Sequence, residues 1–216
     1  MDTTYLKEFM DILALEDKEK AVLFVTQLLE TNTLDIKTLY LSLLAPSLTH
    51  FFCTEQDQDV CIWKEHTRTS IIRTILEISY LYVLKNMPKK RYLSKKIVVL
   101  TPAFELHEIG AIMNTHFMLL EGLNATYIGA NTPKQEILSS IRAYQPDYIA
   151  LSVTNPYNLV VTKQTIEDIR RFFPEVKIVL GGQAFSHLEP SLDLTYDYLL
   201  LNYEDLKEFA KDVRTS

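Results

Sequence analysis

Through the first 88 residues the apolar positions recur at helical spacing. Leu6, Phe9, Met10 and Leu13 form one stripe, and Ala21, Phe24, Val25, Leu28 and Leu29 a second. Ile36, Leu39, Tyr40, Leu43 and Leu44 form a third, and Ile72, Ile75, Leu76, Tyr80 and Val83 a fourth. Each is the pattern of a helix that buries one face. Asp17 and Thr33 are the expected N-caps, and Pro46 is expected to kink or restart the third helix. The polar run from Thr54 to Asp59 reads as a loop before the last helix. Four helices with short connections predict a small bundle.

From Lys85 to Lys96 the chain carries six basic residues and no acidic one, around Pro88. This reads as a solvated linker rather than a nucleic-acid signal. Beyond it the period changes. Short apolar runs at Ile97–Leu100, Thr126–Ile128, Tyr148–Val153, Val176–Leu180 and Tyr198–Leu201 read as strands. Helical stripes over His107–Glu121, Lys134–Tyr144, Val160–Phe173 and Glu204–Val213 separate and follow them. Strands alternating with helices of this length predict a parallel sheet covered on both faces. The expected architecture is α/β: an N-terminal four-helix bundle over residues 1–88, a basic linker over 89–95, and a flavodoxin-like five-stranded parallel sheet over 96–216.

Composition narrows the function classes. A net charge of −6, with acids and bases interspersed, argues against a chain that binds nucleic acid by itself. No basic-then-apolar leader and no long apolar run is visible, so a cytoplasmic protein without a membrane span is expected. Cys53 and Cys61 are then expected to be reduced, and a zinc site from them with His50 and His66 matches no common ligand spacing. Glycine is scarce, with 5 in 216 residues, all between Gly110 and Gly182. Neither common glycine-rich phosphate cradle occurs.

Open parallel sheets bind ligands beyond the C-terminal ends of their strands. After the first strand stand Glu105, His107 and Gly110, spaced E-x-H-x-x-G. After the third come Ser152 and Thr154, and after the fourth Gly181 and Gly182. Taken singly, each has an ordinary reading as a helix start, a turn or a chain reversal. Together they converge on one sheet edge. A loop histidine there can offer one ring nitrogen to a metal while a nearby carboxylate accepts the other N–H. Glycine at the helix start leaves room for a planar group. Hydroxyls and a Gly-Gly pair leave a slot for a polar tail.

Residues 96–182 resemble the cobalamin-binding domain shared by methionine synthase, corrinoid methyl-carrier proteins and cobalamin photoreceptors. That family shows D-x-H-x-x-G, then S-x-L or S-x-T, then G-G, and the segment from Gly129 to Pro133 is similar to the family's second loop. The resemblance implies cobalamin as cofactor, His107 as the lower cobalt ligand in place of dimethylbenzimidazole, and Ser152, Thr154, Gly181 and Gly182 around the displaced nucleotide tail. Glu105 replaces the family's aspartate. It is one methylene longer, so its contact with His107 is kept with altered geometry or lost.

The helical half resembles the cap of cobalamin photoreceptors and related regulators, through Leu39–Leu48 and the pair Glu65-His66. That likeness implies that Glu65 and His66 face the upper side of the corrin. Glu55 stands where the cap's tryptophan is expected, and Gln56 where a photoreceptor offers a second histidine. The only tryptophan, Trp63, would point away from the Glu65 direction. Phe51 and Phe52 read as core.

The leading expectation is a cobalamin-binding regulatory or sensor module, light- or cobalamin-responsive, acting through a protein partner and not itself an enzyme. The alternative is a corrinoid methyl carrier of a methyltransferase system. A third reading is a degenerate module that only binds protein. The partner would be a regulator or a methyltransferase, and the oligomeric state is left open.

Overall fold

A computed structural model of the chain describes residues 3–49, 59–186 and 193–215. His50, Phe51, Phe52, Cys53, Glu55 and Gln56, all weighed from the sequence, lie outside them. The chain divides into two units, Met1–Lys85 and Asn86–Ser216.

The first unit is helical: α1 (Thr3–Ala14), α2 (Lys18–Glu30), α3 (Ile36–Leu39), a π-helical turn (Tyr40–Leu44), α4 (Ala45–Thr49) and α5 (Cys61–Asn86). Asp17 caps α2 through Lys20 N–H, as expected. The cap of α3 is Asp35, which accepts from Thr38 N–H at 2.7 Å. Thr33, expected there, instead shares a hydrogen bond with Thr31. The third helical stretch does not break at Pro46. It widens into the π turn just before it, where the N–H that proline lacks would otherwise be missed.

Phe9, Ala21, Leu39, Tyr40, Leu44, Ile72 and Leu76 fill the interior of this unit. Ser79, not Tyr80, takes the buried place on α5, with its hydroxyl bonded to the Ile75 carbonyl. Cys61 is disulfide-bonded, which corrects the reduced thiol expected of it.

The second unit runs β1 (Tyr92–Pro102), α6 (Ile109–Leu120), β2 (Leu123–Thr132), α7 (Lys134–Tyr144), β3 (Tyr148–Ser152), α8 (Leu159–Phe172), β4 (Lys177–Gly181), β5 (Tyr198–Leu200) and α9 (Tyr203–Thr215). All pairings are parallel and the order is β2-β1-β3-β4-β5, the flavodoxin-like order. Residues 92–95, read from sequence as linker, belong to β1. One face of the sheet packs Val98, Leu100, Ile149, Leu151, Ile178 and Leu180 against α7 and α8. The helices α6 and α9 are packed against each other and against strands. Phe209 of α9 meets Tyr148 and Tyr198 edge-on. From Ala111 to Leu120 only Asn114 is not buried, so α6 is apolar nearly all round. No helix among the described residues is long and apolar enough to cross a membrane.

Two positions carry stability that can be read directly. Gly182 has φ +107°, and a Cβ there would collide with the backbone of Val153. Gly182→Ala is expected to destabilise the protein by about 2 kcal/mol or more, seen as a lowered thermal midpoint. His116 is buried on α6, and burial pushes its pKa down from 6.5 to about 4. The unfolded chain therefore takes up this proton first as pH falls. Stability should decline from pH 6.5 to about 4 by up to about 3 kcal/mol, then level for this group. Denaturant titrations across that range should show a slope that His116→Gln flattens.

Candidate functional site

Parallel pairing sets Ser152 opposite Gly181, so the C-terminal strand ends share one edge. Glu105, His107, Gly110, Ser152, Thr154, Gly181 and Gly182 all lie at that edge. The loop after β1 is held from several sides. Glu105 N–H donates to the Pro102 carbonyl at 3.1 Å, and Thr101 Oγ1 donates to the Glu105 carbonyl at 2.6 Å. Asn131 N–H reaches both the Glu105 carbonyl and Thr101 Oγ1, and Asn131 Oδ1 accepts from Phe104 N–H at 2.7 Å. Phe104 and Asn131 both take left-handed conformations, at φ 68° and 51°. This strain in two loops is maintained by their mutual bonds.

The Glu105 side chain is fully buried, and N–H groups surround its carboxylate. Oε1 accepts from His107 N–H at 3.0 Å and lies 2.6 Å from His107 Nδ1. Oε2 accepts from Thr154 N–H at 3.0 Å, Asn155 N–H at 2.8 Å and Asn158 Nδ2 at 3.1 Å. The extra methylene therefore keeps the histidine contact, and the carboxylate also spans to the loop after β3. Burial pushes the Glu105 pKa up, but the Asn155 and His107 N–H groups, the Asn158 amide and the His107 ring outweigh it. The pKa lies below its ordinary 4.5. A carboxylate held ionised has no proton to give, so the Nδ1 of His107 is the donor. Its Nε2 lone pair is left for a metal.

His107 stands out from this anchor, with its side chain 58% exposed. Around it Phe104, Leu106, Ile128 and Tyr157 expose apolar surface to solvent. A Cβ on Gly110 or on Gly129 would meet nothing within 4 Å, so the ground before α6 and beside β2 is open. Glu108, just before α6, accepts from the Tyr127 hydroxyl at 2.6 Å.

Below this edge, between α6 and the sheet, is a small, partly open slot of about 20 Å³. Ala111, Asn114 and Met118 line it from the helix, and Ala150, Ser152, Gly181 and Leu200 from the strands. Gly181 also lets β5 approach, since a Cβ there would lie 3.1 Å from the Leu200 carbonyl oxygen.

Glu65 and His66 lie on α5 in the helical unit, 3.5 Å apart. Thr69 Oγ1 donates to Glu65. His66 shares its side of the helix with Trp63, Thr67 and Ser70, lining a cleft of about 330 Å³ with Glu16 and Lys18.

Sequence reasoning missed Asn158. It is buried three residues beyond Asn155 and donates to both Glu105 and the Phe104 carbonyl. Its only signal was a second asparagine just before a helix. The role of Thr101 was also invisible, because a threonine ending a strand has no distinctive spacing.

The geometry defines a class of protein. A rigid loop presents one imidazole nitrogen into open, apolar-rimmed space beside a slot, an arrangement that fits a large metal-centred ring with a tail. Residues 95–205 match the B12 binding domain family. The chain belongs to that family, and cobalamin is its cofactor. Among solved structures it is similar to the monomethylamine corrinoid protein of Methanosarcina barkeri, with TM-score 0.76 and 12% identity over 99% of this chain and 100% of that one. It is also similar to a cobalamin-binding protein from Desulfitobacterium hafniense, with TM-score 0.50 and 14% identity over 96% and 98%. No curated protein matches the chain.

The anchor can be tested without cofactor. Glu105→Gln keeps the shape but points an amide into N–H donors, at an expected cost of about 2–4 kcal/mol. The carboxylate's contribution is complete above pH 4.5 and is lost as pH falls through the lowered folded-state value. Denaturation of wild type should therefore lose an increment below pH 4.5 that the variant lacks.

Proposed function

We propose that this chain is a corrinoid methyl carrier, a protein that holds cobalamin for a methyltransferase. The observation that carries this is the match in fold to a corrinoid protein over the full length of both chains, helical unit included. The regulatory reading rested on Glu65-His66, two exposed neighbours on α5. That pair alone does not favour a sensor, so the carrier ranks above it.

On this reading His107 holds cobalt through Nε2 and replaces the cofactor's own base. Glu105 fixes the ring by accepting the Nδ1 proton, and Asn158, Thr154 N–H and Asn155 N–H fix Glu105. Gly110 and Gly129 leave the ring unobstructed. The rim of Phe104, Leu106 and Tyr157 excludes water from its lower side. Ser152 and Gly181 receive the nucleotide tail, while Gly182 serves mainly to route the chain past Val153. Cobalamin, when bound, supplies a metal that accepts a methyl group from one partner and gives it to another.

Protein incubated with hydroxocobalamin and desalted should keep its colour. His107→Ala should shift the visible spectrum and weaken retention by about tenfold or more. For the carrier role, reduced, loaded protein is mixed with a corrinoid methyltransferase and a radiolabelled methyl donor. Label that stays with the protein and leaves on addition of a thiol acceptor supports the reading. No label transfer, together with an assembly state that differs between dark and light, would return it to a regulator.

A further inference from the structure

We infer that a groove at the opposite edge of the sheet, where the strands begin, binds an organic anion: a carboxylate or phosphate carried on an apolar body.

The groove has a volume of about 650 Å³, within the range of about 300–1,000 Å³ that small-molecule sites occupy. It is bounded by the starts of β1, β3 and β4, the last turn of α7 and the segment that follows α8. Tyr148 lines it, and Ser152, four residues on, stands at the cofactor edge, about 13 Å away at the rise of a strand. A ligand here does not touch the His107 loop.

The floor is the outer surface of the core. Ile141, Pro146, Tyr148 and Val176 are buried, and Phe173 is half-buried. Three cations, Lys95, Arg142 and Lys177, line the groove with two acids, Asp147 and Glu175, in a chain whose net charge is −6. Asp147 is already engaged. Its Oδ1 accepts from Lys95 Nζ at 3.2 Å and its Oδ2 from Lys96 N–H at 2.8 Å. Lys177 Nζ lies 5.7 Å from the centre of the Tyr148 ring and has no carboxylate partner among the described residues. The side chains of Arg142 and Gln145 are exposed and make no hydrogen bond or ion pair among the described residues. An arginine in the last turn of a helix ordinarily answers the carbonyls left open there. In α7 other groups do so: Gln145 N–H donates to the Ile141 carbonyl, and Lys96 Nζ to the Tyr144 carbonyl. The Arg142 guanidinium is left for another partner.

Gln145 is the second observation. It closes α7 at φ 47°, a left-handed position that glycine takes at least cost. Glutamine there lowers stability, and no side-chain bond within the described residues offsets the loss. A ligand in the groove that Gln145 lines would offset it.

The unanswered groups select the class of ligand. A cation would find one unengaged carboxylate, Glu175, among three positive side chains. A neutral apolar molecule would cover the floor but strip water from Arg142 and Gln145 with nothing in return. An apolar anion covers the floor and meets guanidinium, ammonium and amide donors. Arginine can hold a carboxylate or phosphate through two parallel bonds.

The test is calorimetric titration of the full chain with 1-naphthyl phosphate, 1-naphthoate, 1-naphthol and inorganic phosphate. The two aromatic anions are expected to bind with one equivalent, about tenfold or more tighter than naphthol or inorganic phosphate. Arg142→Ala should weaken both by about tenfold. Gln145→Gly should raise the thermal midpoint of the free protein yet weaken both anions by about threefold or more. Phe104→Ser, at the cofactor edge, should leave their binding unchanged. Absence of binding, naphthol or inorganic phosphate binding as tightly as the aromatic anions, or unchanged affinity in Arg142→Ala overturns the inference. So does a loss of binding in Phe104→Ser, or full affinity in Gln145→Gly. None of these outcomes bears on cobalamin retention, which is read separately from colour.

Discussion

A carboxylate taken out of water is costly unless its lone pairs are answered, and the site depends on how Glu105 meets that demand. One oxygen takes the backbone and ring of His107. The other takes two backbone N–H groups and an amide from the far side of β3. The same side chain thus ties two strand-end loops together and sets the tautomer of the exposed histidine. Shortening it, moving the loop after β3 or removing Asn158 would disturb one and the same network. This explains why strain is tolerated nearby. Phe104 and Asn131 stay in left-handed conformations because their bonds to each other and to Glu105 are made only in that arrangement.

The scarce glycines divide along the same line. Gly110 and Gly129 face open ground, where a side chain would stand in the way of a ligand rather than of the protein. Gly181 and Gly182 are hemmed in by backbone, of Leu200 and Val153 respectively. Spacing in the sequence assigned both kinds to the cofactor. The packing gives Gly182 a sufficient reason in the chain itself, a reversal with positive φ against a neighbouring strand end.

Architecture was legible because periodicity reports burial, and burial decides element type. The change from helical to strand spacing after Lys96 located the sheet, and the alternation of elements implied its parallel order. Local competition was harder to read. Asp35 rather than Thr33 caps α3, because the helix starts two residues later than the polar stretch suggested. Ser79 rather than Tyr80 turns inward, because a serine can bond its own helix backbone at a buried position. The E-x-H-x-x-G spacing singled out the loop that carries Glu105 and His107. It could not reveal what holds Glu105, since Thr154, Asn155 and Asn158 come from a segment some fifty residues away whose contacts exist only in three dimensions.

The two parts of the site face opposite demands. The histidine loop is ordered by folding, so its geometry toward a metal is set before any cofactor arrives and little conformational freedom is left to lose on ligation. The slot is the reverse. It is small and partly open, with the flexible Met118 in its lining. A group entering beside the sheet would meet a side chain that can give way, whereas one approaching His107 would meet a ring already fixed through Glu105.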